Sequence, residues 1–150
     1  MTQHKTIKSV YSEKDFAAMG WHDCTIYGFS LPRPPFYELV FDIDYIFTWE
    51  KPKEGSKYFG FKVSPCSLFF EKAVDIECDL DFSEDLEIVN IHKLDANKWQ
   101  IECQQGTINF TANSFKQFVR RQPLELKVQA IGRSDSNPVI FLKESFSGEK

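Results

Sequence analysis

The residue types best suited to chemistry in this chain sit in two short segments, Trp21-His22-Asp23-Cys24 and Phe41-Asp42-Ile43-Asp44-Tyr45. A histidine beside an aspartate can bind a metal, and on an extended segment His22 and Cys24 would fall on the same side. A metal needs a fuller ligand set. His4 and His92, the other two histidines, have no second ligand beside them, so neither a metal nor any other cofactor is expected. His22 or Asp23 is instead expected to bond backbone at a corner between a helix and a strand. Asp42 and Asp44 would lie on one face of a strand, about 7 Å apart, a span that glycosidase acid/base pairs use. Val40 and Ile46 share that face, and partial desolvation there would raise a carboxyl pKa. The structural reading is preferred, with the two aspartates meeting lysine across the ladder or facing water.

A third group is a row of acids. Asp75, Glu77, Asp79 and Asp81, with Glu84 and Asp85 beyond them, alternate with Val74, Ile76, Cys78, Leu80 and Phe82. They lack the glycine and terminal glutamate of a calcium loop. A wet strand face is the default, and such a face would also attract a cationic protein.

Chain-wide properties narrow the choice. The formal charge of -4 leaves no basic stripe for phosphates, and Arg120-Arg121 is the one adjacent arginine pair, so nucleic acid is not an expected partner. No signal-like apolar segment and no run of about 18 apolar residues occurs, so membrane insertion and export are not expected and a cytoplasmic protein is. Cys24, Cys66, Cys78 and Cys103 form no C-x-x-C pair. They are expected to be reduced and mostly buried. No phosphate loop, G-x-S-x-G elbow or H-E-x-x-H motif is present.

The elements that must position these residues are mostly strands. Fifteen phenylalanines in 150 residues, mixed with β-branched neighbours, suit a pleated sheet. Strands are expected over Cys24–Leu31, Tyr37–Trp49, Tyr58–Val63 with a continuation at Ser67–Phe70 after Pro65, Val74–Phe82, Leu86–Leu94, Trp99–Cys103, Thr107–Ala112, Leu124–Gln129 and Val139–Leu142. Pro32 to Pro35 must turn at the surface. Short helices are expected over Ser12–Gly20 and from Asn113 or Ser114 through Val119. The expected architecture is all-β, or mainly β with two short helices, as an antiparallel sandwich or barrel-like meander. Residues 1–150 form a single domain in this reading, with 1–11 and 147–150 expected to fray.

W-H-D-C-T-I at Trp21–Ile26, F-D-I-D-Y-I at Phe41–Ile46 and P-C-S-L-F-F at Pro65–Phe70 resemble a pattern of small uncharacterised bacterial β-rich proteins. Some of these look like immunity proteins of polymorphic-toxin systems. The resemblance covers Trp21 to about Ala112. It implies a cytosolic protein that neutralises a toxin by binding it, and carries over no catalytic residue. The leading expectation is a non-enzymatic binding domain whose partner surface is Asp75, Glu77, Asp79 and Asp81. The alternative is a ligand-binding or hydrolytic barrel with His22, Asp23, Asp42 and Asp44 around an interior pocket.

Overall fold

Alternating apolar and polar residues make most of this chain strand. A computed structural model describes residues 7–52, 54, 55, 57 and 59–146. After β1 (Val10–Ser12) comes a 3-10 helix (Glu13–Ala18), opened by the Ser12 N–H donating to the Asp15 carboxylate at 2.9 Å. β2 (Thr25–Ser30), β3 (Leu39–Glu50), β4 (Gly60–Glu71), β5 (Val74–Leu80) and β6 (Leu86–Asp95) follow. The remaining strands are β7 (Lys98–Cys103), β8 (Gly106–Thr111), β9 (Ser114–Val119) and β10 (Leu124–Leu126).

All pairings are antiparallel, in the order β1-β9-β4-β3-β2-β6-β7-β8-β5, with β10 added to β4. The path begins at β1 and ends at β5, so the sheet is open rather than a barrel. β2 and β6 share only the pairs Thr25–Glu87 and Ile26–Leu86, which makes their junction the narrowest link in the sheet. Phe70 of β4 nevertheless lies 5.2 Å from Trp99 of β7 and 4.6 Å from Phe110 of β8, ring centre to ring centre. Those strands are not neighbours, so the sheet folds over and its two halves pack as a sandwich. Trp21, Phe41, Phe70, Trp99 and Phe115 fill the space between.

β3 is buried on both faces. Leu39, Phe41, Ile43 and Tyr45 point into the aromatic core, whereas Val40, Asp42, Asp44 and Ile46 lie on the other face. That second face is covered by residues 127–146, which belong to no strand and form a strap across β2 and β3.

Several expected elements need correction. The segment from Ser114 to Val119 is β9, not a helix: Phe115, Gln117 and Val119 are buried at period two, and the polar Gln117 disguises the alternation. Pro65 lies inside β4, opposite Asp44, instead of breaking it. The Pro65 carbonyl accepts the Arg120 N–H at 2.9 Å on the side away from β3, in the gap between β10 and β9, so its missing donor costs no bond to β3. Residues 127–129 and 139–142 are irregular, and Val10 and Tyr11 are paired with β9 rather than frayed. Tyr58, His4 and the expected frayed ends 1–6 and 147–150 lie outside the described residues.

A two-residue turn at Gln104-Gln105 joins β7 to β8, and Gly106 follows it with φ +135°. A Cβ at Gly106 would stand 1.9 Å from the Asp79 carbonyl oxygen, so neither the conformation nor the space admits a side chain. Gly106→Ala is therefore expected to cost about 1–3 kcal/mol in urea unfolding and to speed amide exchange across β5. A loss below about 0.5 kcal/mol would contradict this packing.

Candidate functional site

On the covered face of β3, where their i, i+2 spacing places both, Asp42 and Asp44 are fully buried. Their partners come from far along the chain. Asp42 Oδ1 accepts from Arg120 Nη2 and Arg133 Nη2, each at 2.7 Å, while Oδ2 accepts from Arg133 Nε at 3.0 Å and the Ile140 N–H at 3.1 Å. Asp44 Oδ1 accepts from Arg133 Nη1 at 2.7 Å. Its Oδ2 accepts from the Tyr27 hydroxyl, the Ile131 N–H and the Gly132 N–H, at 2.7, 2.7 and 3.0 Å.

Each carboxylate thus accepts four hydrogen bonds, which is about its whole capacity. Arg133 is equally spent: its bonds to Asp42, Asp44, the Gly132 carbonyl and the Ile43 carbonyl use five N–H groups. Two aspartates and two arginines also cancel in charge. Burial opposes the charge on Arg133, but its bonds to Asp42 and Asp44 outweigh that and raise its pKa. Its guanidinium also lies 4.1 Å above the Tyr27 ring. Burial first, and the bond to Asp44 second, push the Tyr27 hydroxyl well up, so it remains a donor.

This arrangement differs from the expected one in its partners. The pair meets arginines from β9's end and from the strap, not lysines across the ladder or water. No lone pair is left over for a substrate to protonate or for a water to be activated. The sequence reading missed Arg120 and Arg133. Their one signal is scarcity, since the chain has only four arginines.

The Trp21–Cys24 segment is a turn, closed by the Cys24 N–H on the Trp21 carbonyl at 3.0 Å, with Asp23 at φ +67°. His22 and Cys24 therefore do not share a side: the His22 side chain is 64% exposed, whereas Cys24 is fully buried. His22 Nδ1 lies 3.3 Å from the Val89 carbonyl, and its ring stacks beside Trp49 at 6.3 Å. Asp23 Oδ2 accepts from Gln129 Nε2 at 2.9 Å. Burial and the neighbouring Asp23 raise the pKa of Glu87, with His22 acting in the opposite sense. His22 is thus not gathered with Asp42 and Asp44 around one pocket. Instead the strap binds all three aspartates in turn: Gln129 to Asp23, Ile131 and Gly132 each to Asp44, Arg133 to both members of the pair, and Ile140 to Asp42.

Among the described residues, no group of three or more His, Cys, Asp or Glu could hold a metal ion. The four cysteines are free. Burial pushes the Cys24 thiol up to about 12 and Cys103 up to about 11, leaving almost no thiolate at neutral pH. Cys78 is the exposed one.

Asp75, Glu77, Asp79 and Asp81 all face solvent on or just past β5, the last strand of the sheet. Asp75, at φ +55°, sits in a bulge between Val74 and Glu77, so the strict alternation expected there breaks at its second residue. Val74 and Phe82 are exposed, and Ile76 and Leu80 pack against the core. The β2–β3 loop runs beside this edge. The Tyr37 carbonyl accepts the Ala73 N–H at 2.9 Å, and Phe82 approaches Phe29 to 6.5 Å. Leu31, Phe36 and Tyr37 on that loop are exposed. Among the described residues, none of the four acids forms an ion pair.

Comparison with known proteins finds no matching family, curated protein or solved structure. Among the described residues no helix is long and apolar enough to cross a membrane.

Proposed function

We propose that this chain is a non-enzymatic binding domain that takes up a basic protein partner along the β5 edge. The observation that carries the reading is a terminal strand whose four neighbouring carboxylates are exposed and, among the described residues, form no ion pair, beside exposed apolar side chains. A free strand edge offers backbone donors and acceptors, and the row of like charge repels a second copy while attracting a cation-rich surface. Val74, Phe82 and Tyr37 would supply the apolar contact that charge alone lacks. In the sense of the sequence resemblance, the partner is a basic toxin and the site of action is the bacterial cytoplasm.

The twin aspartates do not support the hydrolytic alternative, because their lone pairs are spent and His22 lies apart from them. The test is affinity capture with the wild type and with a variant carrying Asp75→Asn, Glu77→Gln, Asp79→Asn and Asp81→Asn. These side chains are exposed, so the variant should melt close to the wild type. A basic partner is expected on the wild type, weakening as salt rises, and its affinity for the variant should fall about tenfold or more. Equal capture by both proteins removes the β5 edge from the reading.

A further inference from the structure

We propose that the cleft between the end of β9, β10 and the strap binds a small organic anion, one carboxylate or phosphate head on an apolar body. The cleft has a volume of about 320 Å³, and Pro65, Leu124 and Ile131 give it an apolar side. Such a volume lies at the small end of ligand pockets, enough for a short aliphatic or single-ring acid. Arg121, Gln122, Ser134 and Asn137 line much of the rest, and among the described residues no carboxylate does.

The adjacent arginines are divided between two tasks. Arg120 turns inward to Asp42, whereas Arg121 turns outward, held in place by its carbonyl accepting from the Ser64 hydroxyl. Arg133 forms part of the cleft wall, yet all its donors are spent and its charge is cancelled by Asp42 and Asp44. Arg121 differs: its described side-chain bond is from Nη2 to the Ser136 carbonyl at 3.0 Å, and among the described residues it forms no ion pair. A guanidinium carries five N–H groups. Those left over, in a fork suited to carboxylate and phosphate, put a net positive charge on the cleft of an otherwise acidic chain. The anion head belongs on Arg121, with its apolar body against Leu124 and Ile131. This site is on β4's half of the sheet and is independent of the β5 edge.

The test titrates the full chain with benzoate, phenyl phosphate and the neutral benzyl alcohol, read by backbone amide shifts of Gly132 to Asn137. At least one anion is expected to saturate where the alcohol does not, and which one does identifies the head group. Arg121→Gln should weaken that anion about tenfold or more, Arg121→Lys less, and Leu124→Ser should weaken it without abolishing the preference for charge. Thermal melting of each variant separates lost binding from lost folding. Failure of both anions to saturate, equal binding of the alcohol, or unchanged affinity in folded Arg121→Gln overturns the proposal.

Discussion

Arg133→Ala is expected to lower the unfolding free energy by about 3–5 kcal/mol, the range found when one partner of a buried ion pair is removed. The loss exceeds that of a single contact because five N–H bonds disappear together and the charges behind them stay. Asp44 would keep its Tyr27, Ile131 and Gly132 donors, and Asp42 would keep Arg120 and Ile140, so two carboxylates would face one guanidinium in a dry site. Arg133→Lys should recover only part of the loss, since an ammonium cannot serve two carboxylates and two carbonyls with the reach of a planar fork. Urea unfolding measures the effect. Limited proteolysis should then cut the variant within residues 127–146 sooner than the wild type. A loss below about 1 kcal/mol would mean that Arg133 does not fasten the strap.

Phe70→Ala should cost a similar amount, about 3–5 kcal/mol, for a different physical reason. Its ring touches Phe41, Trp99, Phe110 and Phe115, with centres 4.6 to 6.1 Å away, so it fills the contact between the two halves of the sheet. Truncation leaves a cavity in the sandwich, and edge-to-face partners on both sides lose their contacts. Because the β2–β6 junction has only two residue pairs, packing across the interior is what holds the halves face to face. Phe36→Ala is the control: that ring is 69% exposed, and its removal should change stability by less than about 0.5 kcal/mol. Equal losses in the two variants would contradict the sandwich packing.

How much of this was legible in the sequence depended on whether a residue's neighbours were local. β3 and β6 to β8 announce themselves by alternation. β9 stayed hidden because a buried glutamine, bonded to the Trp21 indole N–H at 2.8 Å, occupies the position where an apolar residue was expected. Pro65 looked like a breaker because a sequence does not show that its missing donor faces the gap between two short partners. The exposure of the β5 acids was visible in their spacing, but the bulge at Asp75 was not, since it depends on the register with β8.

The aspartate pair illustrates the same limit more sharply. Its spacing placed both carboxylates on one face, and the apolar residues beside them pointed to burial. What Asp42 bonds to lies 78 residues away at Arg120, just past a segment read as helix, and 91 away at Arg133, between two segments read as strands. The structural reading of the pair was the preferred one, but its partners are arginines remote in sequence rather than a lysine across the ladder or water. Residues 127–129 and 139–142 of the strap read as strand, yet they are irregular, because the strap covers a sheet face without joining the ladder.

The most direct test of the clamp is amide hydrogen exchange at Ile131, Gly132 and Ile140. These N–H groups lie in irregular chain and donate to aspartate carboxylates rather than to a neighbouring strand. If Asp42 and Asp44 hold the strap, the three amides should exchange as slowly as those of β3 and open only with the sheet itself. Exchange at the rate of an unprotected loop would show that the strap is not fastened there, and that the buried carboxylates have some other task.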